Sequence, residues 1–145
     1  MSRLVLRPGK EKSLLRRHPW VYASAVARLE GDPASGATIE VHSADGRFLA
    51  WAAYSPASTI RARAWSFSES ARVDAGMLAE RVRVSVSRRA AISQETSAVR
   101  LVFGEADGLP GLIVDRYAGQ LVTQFQSAGV DAWREPLIAA LIEAS

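Results

Sequence analysis

The sequence predicts an α+β fold in two parts: a small, closed or nearly closed β structure with one short helix, followed by an incomplete α+β domain. Residues 3–67 contain short apolar segments separated by turn-forming residues, which is typical of strands. A polar stretch at 66–70 interrupts this pattern and is suited to a linker. From residue 75 onward helical spacing and strand segments follow one another, and a hydrophobic content of 48% is sufficient for a packed core.

The front part is predicted to contain about five or six strands. Its strand segments are RLVLR, WVYASAVARLE, ATIEVHS, RFLAWAAYS and TIRARAWSF. Turn residues separate the later segments at 31–33, 44–47 and 55–58. A brief helix, KEKSLLRRH, follows the first strand and ends at Pro19, because proline cannot continue a helix.

The back part is predicted to begin with a helix from Ala75 to about Ile92, capped by Asp74. The expected apolar face carries Leu78, Val82 and Val86, and the expected polar face carries Arg81, Arg88 and Arg89.

Three strand segments and a final helix complete the back part, at 98–103, 112–115, 120–126 and 131–143. The final helix carries an apolar stripe of Ile138, Leu141 and Ile142, which needs a sheet to cover it. Because only about three strands precede this helix, we expect the second domain to be incomplete and the chain to be the front of a longer protein. A small α+β domain that ends in a helix is the alternative.

Composition excludes several classes of site. The chain has no cysteine, so disulfides, zinc-thiolate sites and thiol catalysis are excluded for this stretch. No segment approaches the roughly 18 apolar residues that span a membrane, and the N-terminus lacks the apolar stretch of a secretory signal. We therefore expect no membrane partner and a cytoplasmic location.

The positive charge is concentrated in the front half of the chain. Residues 1–72 contain 11 Lys and Arg against 6 Asp and Glu, a net charge of +5, whereas residues 73–145 carry −2. Sixteen of the 18 cationic residues are arginine, which binds phosphate through a planar fork and stacks on bases. An arginine-rich coding bias would give the same composition, so the placement of these residues has to decide between the two explanations.

A basic strip is the candidate site. Arg61 and Arg63 stand two apart in a predicted strand and therefore share one face. If they meet the cations of the first loop and helix, a strip suited to phosphate contact and base stacking results. Its predicted members are Lys10, Lys12, Arg16, Arg17, Arg61 and Arg63, edged by Trp20 and by Tyr54 or Trp65. The alternative is an ordinary solvated helix face. For His18, a structural hydrogen-bonding role is favoured over a catalytic one.

The segment GEADGLPGLIVDRY, residues 104–117, offers carboxylates and glycines and so has to be tested as an acid/base pair or a phosphate loop. A dinucleotide loop or a P-loop would open a helix, whereas this segment leads into a strand. Asp107-Gly108 and Pro110-Gly111 instead predict a tight turn. Asp115 and Arg116 fit an ordinary solvated pair at the end of the strand. The chain is therefore predicted to contain no catalytic, cofactor-binding or metal-binding residues.

Three segments together carry a resemblance to a known family. RLVLRPGKEKSLLRRHPWVYASAVARLEG, then GRFLAWAAYSPASTIRARAW, and later GEADGLPGLIVDRY are similar to the N-terminal part of bacterial S-adenosylmethionine-dependent 23S rRNA cytosine-5 methyltransferases. Members of that family look like an RNA-binding PUA domain, a middle β-β-α-β-β domain and a class I methyltransferase domain in series. The resemblance implies a PUA-like β pseudo-barrel at 1–70, a connecting helix at 71–97 and the first part of the middle domain at 98–145.

The resemblance implies a role in RNA binding and substrate positioning for these residues. The family's cysteine nucleophiles and methyl-donor loop have no counterpart here, so S-adenosylmethionine is expected in a C-terminal domain beyond Ser145. The family's Tyr-Asn/Ser-Pro-x-Ser turn matches residues 54–58, but a preceding glycine is replaced by Ala52 or Ala53. Because of that replacement, the resemblance does not establish that the backbone approaches RNA closely at this turn.

Two other functions are considered beside large-subunit rRNA binding. The chain could be a non-catalytic protein-interaction or scaffolding module, with the strip contributing only solubility. Pseudouridine and archaeosine enzymes also carry PUA modules, but they do not account for GEADGLPGLIVDRY. An unpaired sheet edge in the back part is expected to favour a homodimer or aggregates.

Overall fold

The computed structural model describes all residues, 1–145, and confirms the predicted α+β class. The chain divides into two compact units, Met1–Val73 and Asp74–Ser145. In the first unit the strands are β1 (Arg3–Leu6), β2 (Trp20–Tyr22), β3 (Val26–Glu30), β4 (Thr38–His42), β5 (Phe48–Tyr54) and β6 (Ile60–Ser66), with one short helix, α1 (Lys12–Leu15).

The first unit is a curled, half-barrel sheet of six strands in the order β2-β6-β5-β4-β1-β3. Only β1 and β4 pair in parallel; the other neighbours are antiparallel. The sheet does not close, because β2 and β3 lie at its opposite edges.

The segment WVYASAVARLE was expected to be one strand, and this expectation is wrong. A 3₁₀ turn at Ala23–Ala25 divides it into β2 and β3, which pair with β6 and β1 respectively. The small residues of this turn carry the chain from one sheet edge to the other. The peptide N–H of Ala23 donates to the carbonyl of Thr59, and the carbonyl of Ala25 accepts from the N–H of Arg7.

Inward-facing side chains from both halves of the sheet form the core of the first unit. Leu4, Leu6, Ile39, Val41 and Ala62 are each at most 1% exposed. Helix α1 is shorter than predicted and contributes Leu14 to this core, at 2% exposed.

The second unit contains the helices α2 (Ala75–Arg88), α3 (Ala90–Glu95), α4 (Ala128–Ala132) and α5 (Arg134–Ala144) and the strands β7 (Ala98–Phe103), β8 (Leu112–Tyr117) and β9 (Gln120–Phe125). The strands form an antiparallel sheet in the order β7-β8-β9. The predicted cap is confirmed, since the Asp74 carboxylate accepts from the N–H of Met77 at 2.9 Å. The predicted single helix to Ile92 is divided into α2 and α3 at Arg89.

Helix α2 packs on α5 and on β7. Leu78 and Val82 are buried as predicted, but some residues of each expected helix face are placed differently. Leu137 and Leu141 are buried on α5, whereas Ile142 is 68% exposed. Arg81 of α2 and Arg89, which lies between α2 and α3, turn toward the loop before β8, because carbonyl and carboxylate acceptors of that loop face them. None of the helices is both long and apolar enough to cross a membrane.

Candidate nucleic-acid interface

The loop and short helix between β1 and β2 place a cluster of cations on the surface of the first unit. The N–H of Lys10 donates to the carbonyl of Arg7, and the N–H of His18 donates back to the carbonyl of Ser13 at 2.9 Å. The segment is thus fixed by its own backbone, while Leu14 anchors it in the core. The long cationic side chains of the segment therefore face solvent.

These side chains line an open depression of about 670 Å³, here called the basic groove. Its lining residues are Gly9, Lys10, Lys12, Ser13, Arg16, Arg17, His18 and Pro19. No carboxylate lines the groove, and Lys10, Lys12, Arg16 and Arg17 are all exposed without an ion pair. The structure thus brings together the four cations that the sequence placed in the first loop and helix. Such a surface is suited to an anionic ligand.

Arg17 has a distinct conformation within the basic groove. Its φ is +68°, which is in the left-handed region that non-glycine residues rarely adopt. Here the chain leaves α1 and turns toward Pro19, whose carbonyl accepts from the N–H of Ala64 in β6. The Arg17 guanidinium lies over the ring of Phe67 at 5.2 Å, so one side chain of the groove is oriented by the end of β6.

Trp20 and Arg63 form a second feature of the predicted strip. They are directly opposite each other in β2 and β6, and the guanidinium lies over the indole at 5.4 Å. The N–H of Trp20 donates to Nδ1 of His18 at 3.2 Å, which gives His18 a hydrogen-bonding role. Arg61 lies nearer the start of β6 than Arg63, and its Nε donates to the carbonyl of Ser58. Neither Arg61 nor Arg63 lines the basic groove.

The remaining aromatic residues considered for the strip are inside the protein. Tyr54 is 9% exposed and belongs to the core of the first unit, and Trp65 is 4% exposed. The placement of Tyr54 on the binding face is therefore corrected, because inward-facing positions of β5 are covered by neighbouring strands. Ala52 and Ala53 are buried within β5 as well, so neither offers its backbone to a ligand.

The segment 104–111 forms the predicted tight turn of the second unit. A 3₁₀ turn at Gly104–Asp107 is followed by Gly108 at a φ of +70° and Gly111 at +87°. Oε1 of Glu105 accepts from the N–H of Gly111 at 2.9 Å, so this carboxylate closes the turn. The acidic residues of the motif are thus used within the protein.

Asp107 is the most strongly engaged of these acidic residues; its side chain is 4% exposed. Its carboxylate accepts two hydrogen bonds from Arg89, at 2.9 and 2.8 Å, and one from the N–H of Phe103 at 2.7 Å. Burial alone would raise the pKa of Asp107, but the Arg89 hydrogen bonds and the Phe103 N–H outweigh burial and lower the pKa. Arg89 also donates to Oγ of Ser85 at 2.7 Å. We call Asp107, Arg89, Ser85 and Phe103 the Asp107 cluster.

Asp115, by contrast, pairs with Arg100 across β7 and β8 rather than with its neighbour Arg116. The hydrogen bonds from Arg100 hold the pKa of Asp115 below its ordinary value. Three or more metal-ligating side chains do not come together anywhere in the structure.

Sequence reasoning missed the residues of a second, smaller depression beside the basic groove. It includes Tyr22, Ser24 and Ala25, which lie around the 3₁₀ turn between β2 and β3. The sequence pattern predicts one strand through this turn and therefore gives no signal that these residues line a depression.

The geometry of the first unit agrees with a comparison against protein-family models. Residues 4–67 match the family described as PUA-like domain. The first unit carries a PUA-like domain. This confirms the pseudo-barrel expected from the sequence and covers the strands on both sides of the basic groove.

Curated relatives extend the similarity to almost the whole chain. Ribosomal RNA large subunit methyltransferase I from Shewanella amazonensis is 46% identical over 143 residues, which is 97% of this chain and 36% of the relative. The protein of the same name from Yersinia pseudotuberculosis is 46% identical over 141 residues, or 96% of this chain and 36% of that protein. The chain is thus homologous to these methyltransferases and spans about a third of their length.

Solved structures share the fold. A putative SAM-dependent methyltransferase from Streptococcus mutans matches 99% of this chain and 38% of its own, with a TM-score of 0.84 and 19% identity. A putative methyltransferase complexed with SAH matches 99% of this chain and 37% of its own, with a TM-score of 0.84 and 20% identity.

Proposed function

We propose that residues 1–70 are the RNA-binding part of an S-adenosylmethionine-dependent methyltransferase that acts on large-subunit ribosomal RNA. The observation that carries this proposal is the basic groove, where Lys10, Lys12, Arg16 and Arg17 are exposed without acidic partners. Such cations attract phosphates, and their binding releases the counterions that the phosphates hold.

The proposed role within the whole protein is to hold and position the substrate. The names of the curated relatives support a large-subunit RNA substrate. The resemblance of three sequence segments supports transfer of the methyl group to C5 of a cytosine. On this proposal residues 71–97 connect the RNA-binding part to residues 98–145, which are the first part of a middle domain. S-adenosylmethionine would be the methyl donor of the whole protein, and a ribosomal substrate would place it in the cytoplasm.

The residues around the basic groove differ in chemistry and would make different contacts with RNA. The flexible ammonium groups of Lys10 and Lys12 would neutralise phosphate charge, whereas the forked guanidinium groups of Arg16 and Arg17 would fix its orientation. Trp20 would offer an aromatic ring for stacking beside the groove. Arg63, which lies over this ring, and Arg61 would extend the positive potential along β6.

Binding of a large-subunit rRNA hairpin across a salt series tests the proposal. We expect the affinity of the unaltered chain to fall steeply as the salt concentration rises, since phosphate contacts dominate. Changing Arg16 and Arg17 to alanine should weaken binding at low salt and flatten the salt dependence. A matched variant with Arg28 and Arg47 changed to alanine should bind as the unaltered chain does, because these exposed residues lie outside the groove.

If the unaltered chain does not bind the hairpin, or binds it equally at all salt concentrations, the proposal is wrong. The result would then favour the second candidate function, a protein-interaction module that forms a homodimer.

A separate observation supports this second candidate. Strand β9 lies at an edge of the sheet of the second unit, and its sequence QLVTQF contains no charged residue to discourage pairing. Tyr117, Val122 and Phe103 of the same sheet are about half exposed. We propose that β9 pairs with the same strand of a second copy. Sedimentation should then show dimers, and a strictly monomeric chain at high concentration would contradict the pairing.

A further inference from the structure

A smaller depression of about 150 Å³, here called the aromatic pocket, adjoins the basic groove. Most of its lining is apolar or aromatic: Leu6, Leu14, Trp20, Val21, Tyr22 and Ala25. Lys10, Ser13 and Ser24 complete it, and no carboxylate is present.

The fold explains why a pocket exists at this place. The six-stranded sheet does not close, and β2 lies at one edge while β1 lies next to the other. The aromatic pocket takes lining residues from β1, α1, β2 and the 3₁₀ turn, so it occupies the unclosed side of the half-barrel. It is therefore formed by regular elements of the fold.

Two residues connect the aromatic pocket with the basic groove. Lys10 and Ser13 line both depressions. A ligand with an anionic group in the groove can therefore place an adjacent flat, apolar group in the pocket. A nucleotide has this combination of a phosphate and an aromatic base.

The volume of the pocket favours a base with one ring over a base with two fused rings. A cavity of about 150 Å³ accepts a single six-membered aromatic ring such as benzene, whereas a purine has two fused rings. Trp20 and Tyr22, whose rings meet edge to face at 6.3 Å, supply aromatic surface to the pocket. The hydroxyl groups of Ser13 and Ser24 and the ammonium of Lys10 can donate to the carbonyl oxygens of a pyrimidine.

We propose that the aromatic pocket holds one unpaired pyrimidine base of a single-stranded RNA segment whose phosphates lie in the basic groove. This inference rests on the proposed RNA-binding function and specifies its ligand. A base within a duplex is stacked on its neighbours and cannot enter such a pocket, so the proposal predicts preference for loops and single strands.

A series of short RNA ligands tests the inference with the full chain. The ligands are an oligouridylate, an oligoadenylate, an abasic ribose-phosphate oligomer and an RNA duplex, all at the same low salt concentration. We expect the oligouridylate to bind about tenfold more tightly than the abasic oligomer, in the range that one stacked base supplies. The oligoadenylate and the duplex should bind close to the abasic level.

A matched pair of variants locates the effect. Ser24→Phe puts a large side chain at the exposed rim of the aromatic pocket, and Ser35→Phe makes the same change at an exposed serine that lines neither depression. Ser24→Phe should lower oligouridylate affinity about tenfold and leave binding of the abasic oligomer unchanged. Ser35→Phe should alter neither.

Each possible failure has a separate meaning. If the unaltered chain binds the abasic oligomer as tightly as the oligouridylate, with steep salt dependence, the base pocket is overturned and the RNA-binding function stands. If the oligoadenylate binds as tightly as the oligouridylate, the preference for pyrimidine is overturned. If no RNA ligand binds, the proposed function itself fails. Because these three results come from the unaltered chain, they do not depend on whether a variant folds.

Discussion

The basic groove and the Asp107 cluster use the same kind of side chain in opposite ways. In the groove, Arg16 and Arg17 are exposed and have no carboxylate partner. In the Asp107 cluster, Arg89 donates two hydrogen bonds to a carboxylate that is 4% exposed. The first arrangement keeps positive charge available to a ligand, whereas the second neutralises it inside the protein.

The difference shows what arginine composition alone cannot reveal. A guanidinium contributes to stability when a buried carboxylate would otherwise lack a partner, and it contributes to binding when its charge is left uncompensated. Mutations in the two regions should therefore have separable effects. Changes in the Asp107 cluster should alter the free energy of unfolding, and changes in the groove should alter RNA affinity.

The largest effect is expected for Asp107→Ala. Removing this carboxylate leaves the guanidinium of Arg89 without its main partner and the N–H of Phe103 without its acceptor. Breaking such a buried pair costs about 3–5 kcal/mol of unfolding free energy. Urea unfolding followed by far-ultraviolet circular dichroism measures the change, because most of the helical residues lie in the second unit.

Glu80→Ala is the matched control for Asp107→Ala, because Glu80 also pairs with an arginine but its side chain is 59% exposed. It should change the unfolding free energy little. Equal effects of the two substitutions would contradict the distinction between buried and exposed pairs.

Acid gives an independent check of the Asp107 cluster. The folded state lowers the pKa of Asp107 below its ordinary value of 3.8, so the folded state binds the proton more weakly than the unfolded state. The stabilisation is therefore present above pH 3.8 and is lost as the pH falls below it toward the folded pKa. Between neutral pH and pH 3, Asp107→Ala should lose less unfolding free energy than the unaltered chain. An equal loss in the two chains would contradict a lowered pKa of Asp107 in the folded state.

A smaller effect is expected from glycine substitutions that compare the two units. Gly111 has a φ of +87°, and an added Cβ would lie 2.5 Å from Oγ of Ser127 and 2.9 Å from its backbone nitrogen. Strain in left-handed backbone costs about 1–2 kcal/mol, and overpacking costs about 1–3 kcal/mol more. Gly46 has a φ of +88° in open space, so Gly46→Ala carries only the strain. Chemical denaturation should show that Gly111→Ala costs more than Gly46→Ala.

The smallest effect on stability is expected for Arg17→Gly. Glycine relieves the left-handed strain at a φ of +68° but adds freedom to the unfolded chain and removes the contact with Phe67. The unfolding free energy should change by about 1 kcal/mol or less, while RNA affinity falls because one groove cation is lost. A large loss of stability would show that Arg17 has a structural role like that of Arg89.

Much of the fold could be predicted from the sequence because local chemistry determines it. Asp74 caps α2, and alternating residues in 38–42 and 60–66 form strands. The break at Ala23–Ala25 could not be predicted, since it depends on β2 and β3 joining opposite sheet edges. The inward placement of Arg81 and Arg89 likewise depends on acceptors from a distant loop.

The candidate site was only partly accessible to sequence reasoning. Lys10, Lys12, Arg16 and Arg17 are neighbours in the chain, so their shared surface follows from one loop and helix. Strand alternation indicated that Arg61 and Arg63 share a face, but not how far each lies from the groove. Tyr54 lies in the core of the first unit, and a short strand segment does not reveal which of its faces is covered by neighbouring strands.

We propose that the unpaired cations of the basic groove, rather than positive charge in general, bind RNA. Two variants of equal charge test it: Lys12, Arg16 and Arg17 changed to glutamine, and Arg83, Arg88 and Arg134 of the second unit changed to glutamine. The measurement is the affinity for a large-subunit rRNA hairpin across a salt series. Loss of three phosphate contacts in the groove variant should reduce the slope of log K against log salt by about 2–3, with the second-unit variant unchanged. Equal slopes for the two variants would contradict the claim.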